Sequence, residues 1–60
     1  MTKLYVKMIE KATTTVDGTV VTYQVVADKF LQKYGKEKAD QLMNQIKTQL
    51  IADGYPELVG

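Results

Sequence analysis

The chain contains no histidine, cysteine, arginine, serine or tryptophan. Each absence excludes a class of chemistry. Without His there is no side chain whose ordinary pKa falls near neutrality, so the usual general acid–base group is missing. Without Cys or Ser the two commonest nucleophiles are gone. Lacking both Cys and His, the chain holds neither a disulfide nor a zinc site. Lacking Arg, it has no planar fork for guanine or phosphate. The remaining acidic groups, among them Asp17, Asp28, Asp40 and Asp53, do not follow the spacing of a calcium loop. Sixty residues also leave little room for an enclosed pocket. The expectation is a non-enzyme with no catalytic residues, no metal, no cofactor and no small-molecule substrate.

Length sets the next bound. Sixty residues form one domain, spanning 1–60. A domain of that size buries only about 60% of the surface its unfolded chain exposes. Small folds compensate with disulfides, metals or self-association. The first two are excluded, so a homodimer is expected.

No run approaches the roughly 20 apolar residues of a membrane span. The opening MTKLYVKMIEK also lacks the apolar core and cleavage site of a signal peptide. The chain therefore reads as cytoplasmic, with no membrane partner. Its net charge is +1, unevenly spread. Residues 1–36 hold six lysines against Glu10, Asp17 and Asp28, whereas residues 37–60 hold two against four carboxylates.

What is present suggests an α+β fold. Asp17-Gly18 is the strongest turn signal, and the flanking Thr13–Val16 and Thr19–Thr22 are rich in β-branched residues. A two-residue turn there pairs Val16 with Thr19 and Ala12 with Tyr23. In that register Leu4, Val6, Met8, Ala12, Val16, Val21, Tyr23 and Val25 share an apolar face. Lys3, Tyr5, Lys7, Ile9, Lys11, Val20 and Thr22 lie on the other. Glu10 is the exception on the apolar face. This predicts an antiparallel hairpin over residues 3–26.

A short helix over 27–34 follows, ending at Gly35. A long helix over 37–52 carries Ala39, Leu42, Met43, Ile46 and Leu50 at spacings of three and four. An apolar tail, 55–60, folds back on the core. Two strands alone are barely stable, so dimerisation would complete the sheet of this ββαα fold. The competing reading is a three-helix bundle, because Leu4, Tyr5, Met8, Ile9 and Ala12 also fit a helical stripe. The Thr/Val content of 13–26 favours strands over that alternative.

On the hairpin reading the exposed face is the candidate surface. Tyr5, Ile9, Val20 and Lys7 would bind a macromolecular partner, preferentially a protein, with the chain acting as a dimer. The alternative partner is nucleic acid. Lys3, Lys7 and Lys11, with Tyr5 as a stacking platform, would then track phosphates with little sequence specificity. Gln41, Asn44, Gln45 and Gln49 are base-reading residue types, and the two helices superficially resemble a helix-turn-helix. Glu37 and Asp40 at the start of the second helix oppose phosphate there.

Overall fold

Between Thr2 and Glu10 the chain offers Lys3, Leu4, Lys7, Met8 and Glu10, all good helix formers. A helix pairs its backbone groups internally, whereas an isolated hairpin leaves two open edges. In a computed structural model, which describes residues 2–60, this segment is a helix. Helix α1 spans Thr2–Glu10, α2 spans Tyr23–Tyr34 and α3 spans Lys36–Ala52, with a closing 3₁₀ turn at Pro56–Leu58.

The ββαα expectation is thus overturned. No β-strand exists among the described residues, and the architecture is the three-helix alternative. With the hairpin goes the sheet that dimerisation was to complete. The short helix, expected from residue 27, begins at Tyr23. Thr22 caps it by accepting from Val25 N–H at 3.2 Å. Val25 and Val26 enter that helix despite their β preference, because Val26 becomes one of the most buried residues in the chain.

Helix α3 is the central element, packing against α1, α2 and the 3₁₀ turn. Its Ala39, Met43, Ile46 and Leu50 meet Val6 and Ile9 of α1, Val26 and Phe30 of α2, and Val21 of the loop. Leu58 and Val59 of the tail pack against the same cluster. Phe30 sits edge-on between Tyr5 and Tyr34, with ring centroids 5.0 and 5.7 Å away. Val6 and Ile9 are both buried, which a strand with one covered face cannot achieve because it would send them to opposite faces.

The Asp17-Gly18 turn survives in reduced form. Thr14 and Val20 make a single antiparallel bridge, and Thr15 N–H donates to Thr19 O at 2.8 Å. Three residues, not two, close the loop, with Gly18 at φ 90°. The pairing therefore slips by one residue from the expected register. The Thr15 hydroxyl, with Thr19 N–H, donates to the Asp17 carboxylate and holds it below its ordinary range. Val16 at the tip is fully exposed.

Between α2 and α3 stands Gly35 alone. At φ 89° and ψ 168° it occupies a region essentially reserved for glycine. Its N–H closes α2 on Leu31 O, and its carbonyl accepts from Ala39 N–H to open α3.

Two helices end in the same way on different residues. At the end of α1, Thr13 N–H bonds Met8 O at 2.9 Å and Ala12 N–H bonds Ile9 O at 3.2 Å. At the end of α3, Tyr55 N–H bonds Leu50 O at 2.8 Å and Gly54 N–H bonds Ile51 O at 3.1 Å. Both are Schellman closures, with Ala12 at φ 51° and Gly54 at φ 92° in the left-handed position. Ala12 bears a steric penalty there that Gly54 does not. Ala12→Gly is expected to stabilise the protein by about 1 kcal/mol and Gly54→Ala to destabilise it by a similar amount. Urea midpoints of the two variants check both signs.

Candidate functional site

The helical conformation of residues 2–10 reorganises the lysines. On a strand Lys3, Lys7 and Lys11 would be about 13 Å apart. On a helix, residues four apart are separated by about 6 Å of rise. Lys3 and Lys7 lie one turn apart on α1, and Lys11 continues the path because its N–H still bonds Lys7 O at 3.0 Å. At about 100° per residue the three fall within an arc of about 80°. All three are exposed. The stripe therefore carries roughly twice the linear charge density that a strand would give it.

Lys7 in the last turn of α1 and Lys11 just beyond it sit where the helix macrodipole favours a cation, but Lys3 does not. The first turn of α1 contains no acidic residue, and Lys3 stands where the macrodipole repels a cation. Leu4 lies beside the stripe and is 65% exposed. On the opposite flank of α1, Lys29 of α2 lies 5.7 Å from the centre of the Tyr5 ring. Lys33 follows one turn later on α2, over Tyr34. Cations thus border α1 on both sides. Lys29 and Lys33 were not singled out from the sequence, although their spacing of four on a helix was the available signal.

Toward α3, Lys3, Val6, Lys7, Gln49 and Asp53 line a groove of about 220 Å³. Glu10, the sole carboxylate of α1, falls on this edge and faces Asp53. Lys7 and Lys11 of the stripe both act on its charge.

The hairpin face proposed for a protein partner is not formed. Ile9 is 4% exposed and belongs to the core. Tyr5 is partly buried, with its ring against Phe30. Val20 sits in the loop, half-exposed, and only Lys7 stands clear on α1. These four residues share no surface. Lys3, Lys7 and Lys11 do, without Tyr5 among them as a free stacking platform.

Helix α3 presents Gln41, Asn44, Gln45 and Thr48 along a shallow neutral concavity. Gly35 alone joins α2 to α3, whereas a DNA-binding helix-turn-helix uses a turn of about three or four residues. At the start of α3, Lys36 is paired with Asp40 at 3.1 Å, and Glu37 adds a negative charge. This helix end does not favour a phosphate backbone.

Comparison with protein families, with curated proteins and with solved structures finds no match for this chain. Among the described residues no group of three or more acidic side chains gathers to hold a metal ion. No helix among them is long and apolar enough to cross a membrane.

Proposed function

We propose that this protein binds nucleic acid through the phosphate backbone, with little sequence preference, by way of Lys3, Lys7 and Lys11. The observation that carries this reading is their alignment: Lys3 and Lys7 are exposed one turn apart on α1, and exposed Lys11 continues the path just past its end, with its N–H on Lys7 O. Like charges held that close repel, and a polyanion relieves the repulsion while releasing its own counterions. Flexible lysine stems suit point contacts to phosphates. The lack of arginine argues against a base code, because the commonest specific contact is an arginine fork on guanine. The role is one of binding, not catalysis, and a cytoplasmic site of action is part of the proposal.

Fluorescence anisotropy with a random-sequence duplex tests this directly. Three lysine–phosphate contacts predict a log–log salt slope near −2.7. That corresponds to about a 40-fold loss of affinity between 50 and 200 mM salt. A slope near −5 would mark two stripes on one duplex, as in the homodimer that a small fold invites. Absence of binding at 50 mM salt, or a slope near zero, would remove this function.

A further inference from the structure

The groove between α1 and α3 carries charges of both signs that are not spent on each other. Lys3 and Lys7 line it from α1 and Asp53 from the C-terminal cap of α3, together with Val6 and Gln49. Among the described residues the ion pair is that of Lys36 with Asp40, so neither groove lysine is closed onto Asp53. Both lysines and Asp53 are exposed, whereas Val6 is buried and gives the groove an apolar floor. A carboxylate is out of place on a surface that only follows phosphates, because like charges repel. It fits a ligand that carries a phosphate at one end and N–H donors at the other.

The α3 side of the groove narrows the choice of donor. Gln49 Nε2 donates to Asp53 Oδ1 at 2.7 Å, which holds the two side chains together. That bond uses one of the two amide N–H groups, and an ionised carboxylate keeps further lone pairs free to accept. The wall therefore offers carboxylate oxygens next to an amide N–H. Among the DNA bases, guanine carries the most N–H donors on its pairing edge. Its N1–H and N2 amine lie side by side, with O6 as the adjacent acceptor. Thymine instead sets two carbonyls around a single N–H, and those oxygens would face the carboxylate. At about 220 Å³ the groove lies below the range for drug-sized ligands and suits a single base.

We propose that the groove takes one unpaired guanine of a nucleic-acid strand. Asp53 accepts from N1–H and the N2 amine, Gln49 donates to O6, and Lys3 and Lys7 hold the adjoining phosphates. This rests on the nucleic-acid reading above and adds one base preference to an otherwise sequence-independent contact. In a duplex the same edge of guanine is engaged by cytosine, so only an unpaired or flipped-out base fills the groove. Gln49 also lines the neutral concavity of α3, so the strand leaves the groove over uncharged amides.

Fluorescence anisotropy with short thymidine strands of about 6 nucleotides, carrying guanine, hypoxanthine or thymine at one central position, tests the groove. Hypoxanthine keeps the ring, N1–H and O6 of guanine but lacks the N2 amine. At 50 mM salt the guanine strand should bind roughly tenfold more tightly than either of the others. Asp53→Ala should bring the three strands level. Asp28→Ala is the control: it removes the same charge from α2, where Gln24 Nε2 donates to Asp28 Oδ1 at 2.9 Å, and should keep the guanine preference. Equal wild-type affinity for guanine and hypoxanthine, or a preference that survives Asp53→Ala, would overturn the proposal. The wild-type comparison decides by itself if Asp53→Ala does not fold. Duplex binding without any guanine preference would remove the groove site and leave the backbone function standing. Failure of both strands and duplex to bind would remove the two together.

Discussion

Leu50→Ala is expected to leave much of the protein unfolded at 25 °C. Leu50 is fully buried on α3, in the same core as Val6 and Ile9 of α1, with the folded-back tail packed against it. Truncating a buried leucine removes its transfer free energy and leaves a cavity, together about 3–5 kcal/mol. At about 0.05–0.15 kcal/mol per residue, a domain of this length has only about 3–9 kcal/mol of total stability. The loss and the reserve are of the same size. Ile46→Ala, equally buried, should behave alike. Leu31 is 50% exposed, and Leu31→Ala should change stability by no more than about 0.5 kcal/mol. Circular dichroism at 222 nm during a urea titration reads all three. A Leu50→Ala variant as stable as Leu31→Ala would show that the three helices do not share the core described above.

The second large effect concerns binding. Replacing Lys3, Lys7 and Lys11 together by Gln should reduce duplex affinity at 50 mM salt on the order of a thousandfold, because all three counterion-releasing contacts disappear. The fold should survive, since the three side chains are exposed and Gln is a good helix former. The decisive comparison is a second triple variant with Lys36, Lys38 and Lys47 changed to Gln. It loses the same net charge from α3 but leaves α1 intact. Its affinity should stay within about tenfold of the wild type, the margin for a diffuse field screened beyond about 10 Å. Equal losses from both triples would mean that binding follows net charge alone, and the stripe would hold no special place.

The hairpin expectation failed for an identifiable reason. Over residues 3–9 two periods fit the same letters. Leu4, Val6 and Met8 alternate as a strand would, whereas Tyr5, Val6 and Ile9 recur as a helix would. The turn at Asp17-Gly18 is real, but a turn constrains only its immediate neighbours. The β-branched residues that argued for strands are concentrated between Thr13 and Val26, and most of them form the loop between α1 and α2. That preference is local, and the residues before it have the composition of a helix. The lysine spacing was visible throughout, but its physical meaning changed with the conformation. A sparse ribbon on a strand became a dense stripe on α1.

Glu10 shows the same limit from another side. It was the polar exception on an apolar strand face, and that anomaly marked a residue whose environment the hairpin could not explain. Its neighbour is Asp53, far along the chain, and no local pattern links the two.

Local chemistry by itself determined several features. The stripe of Ala39, Leu42, Met43, Ile46 and Leu50 marks α3, because apolar side chains at that spacing bury only as a helix. Gly35 and Gly54 mark helix ends, because few other residues adopt their backbone angles. The missing His, Cys, Ser and Arg narrow the available chemistry whatever the fold. Tertiary structure decided the rest: the helical form of residues 2–10, the burial of Ile9, the neighbours of Tyr5 and the meeting of Glu10 with Asp53. Each of these depends on surface that α2 and α3 supply. A short segment with two compatible periods takes the conformation whose apolar face finds a partner, and that partner is distant in sequence.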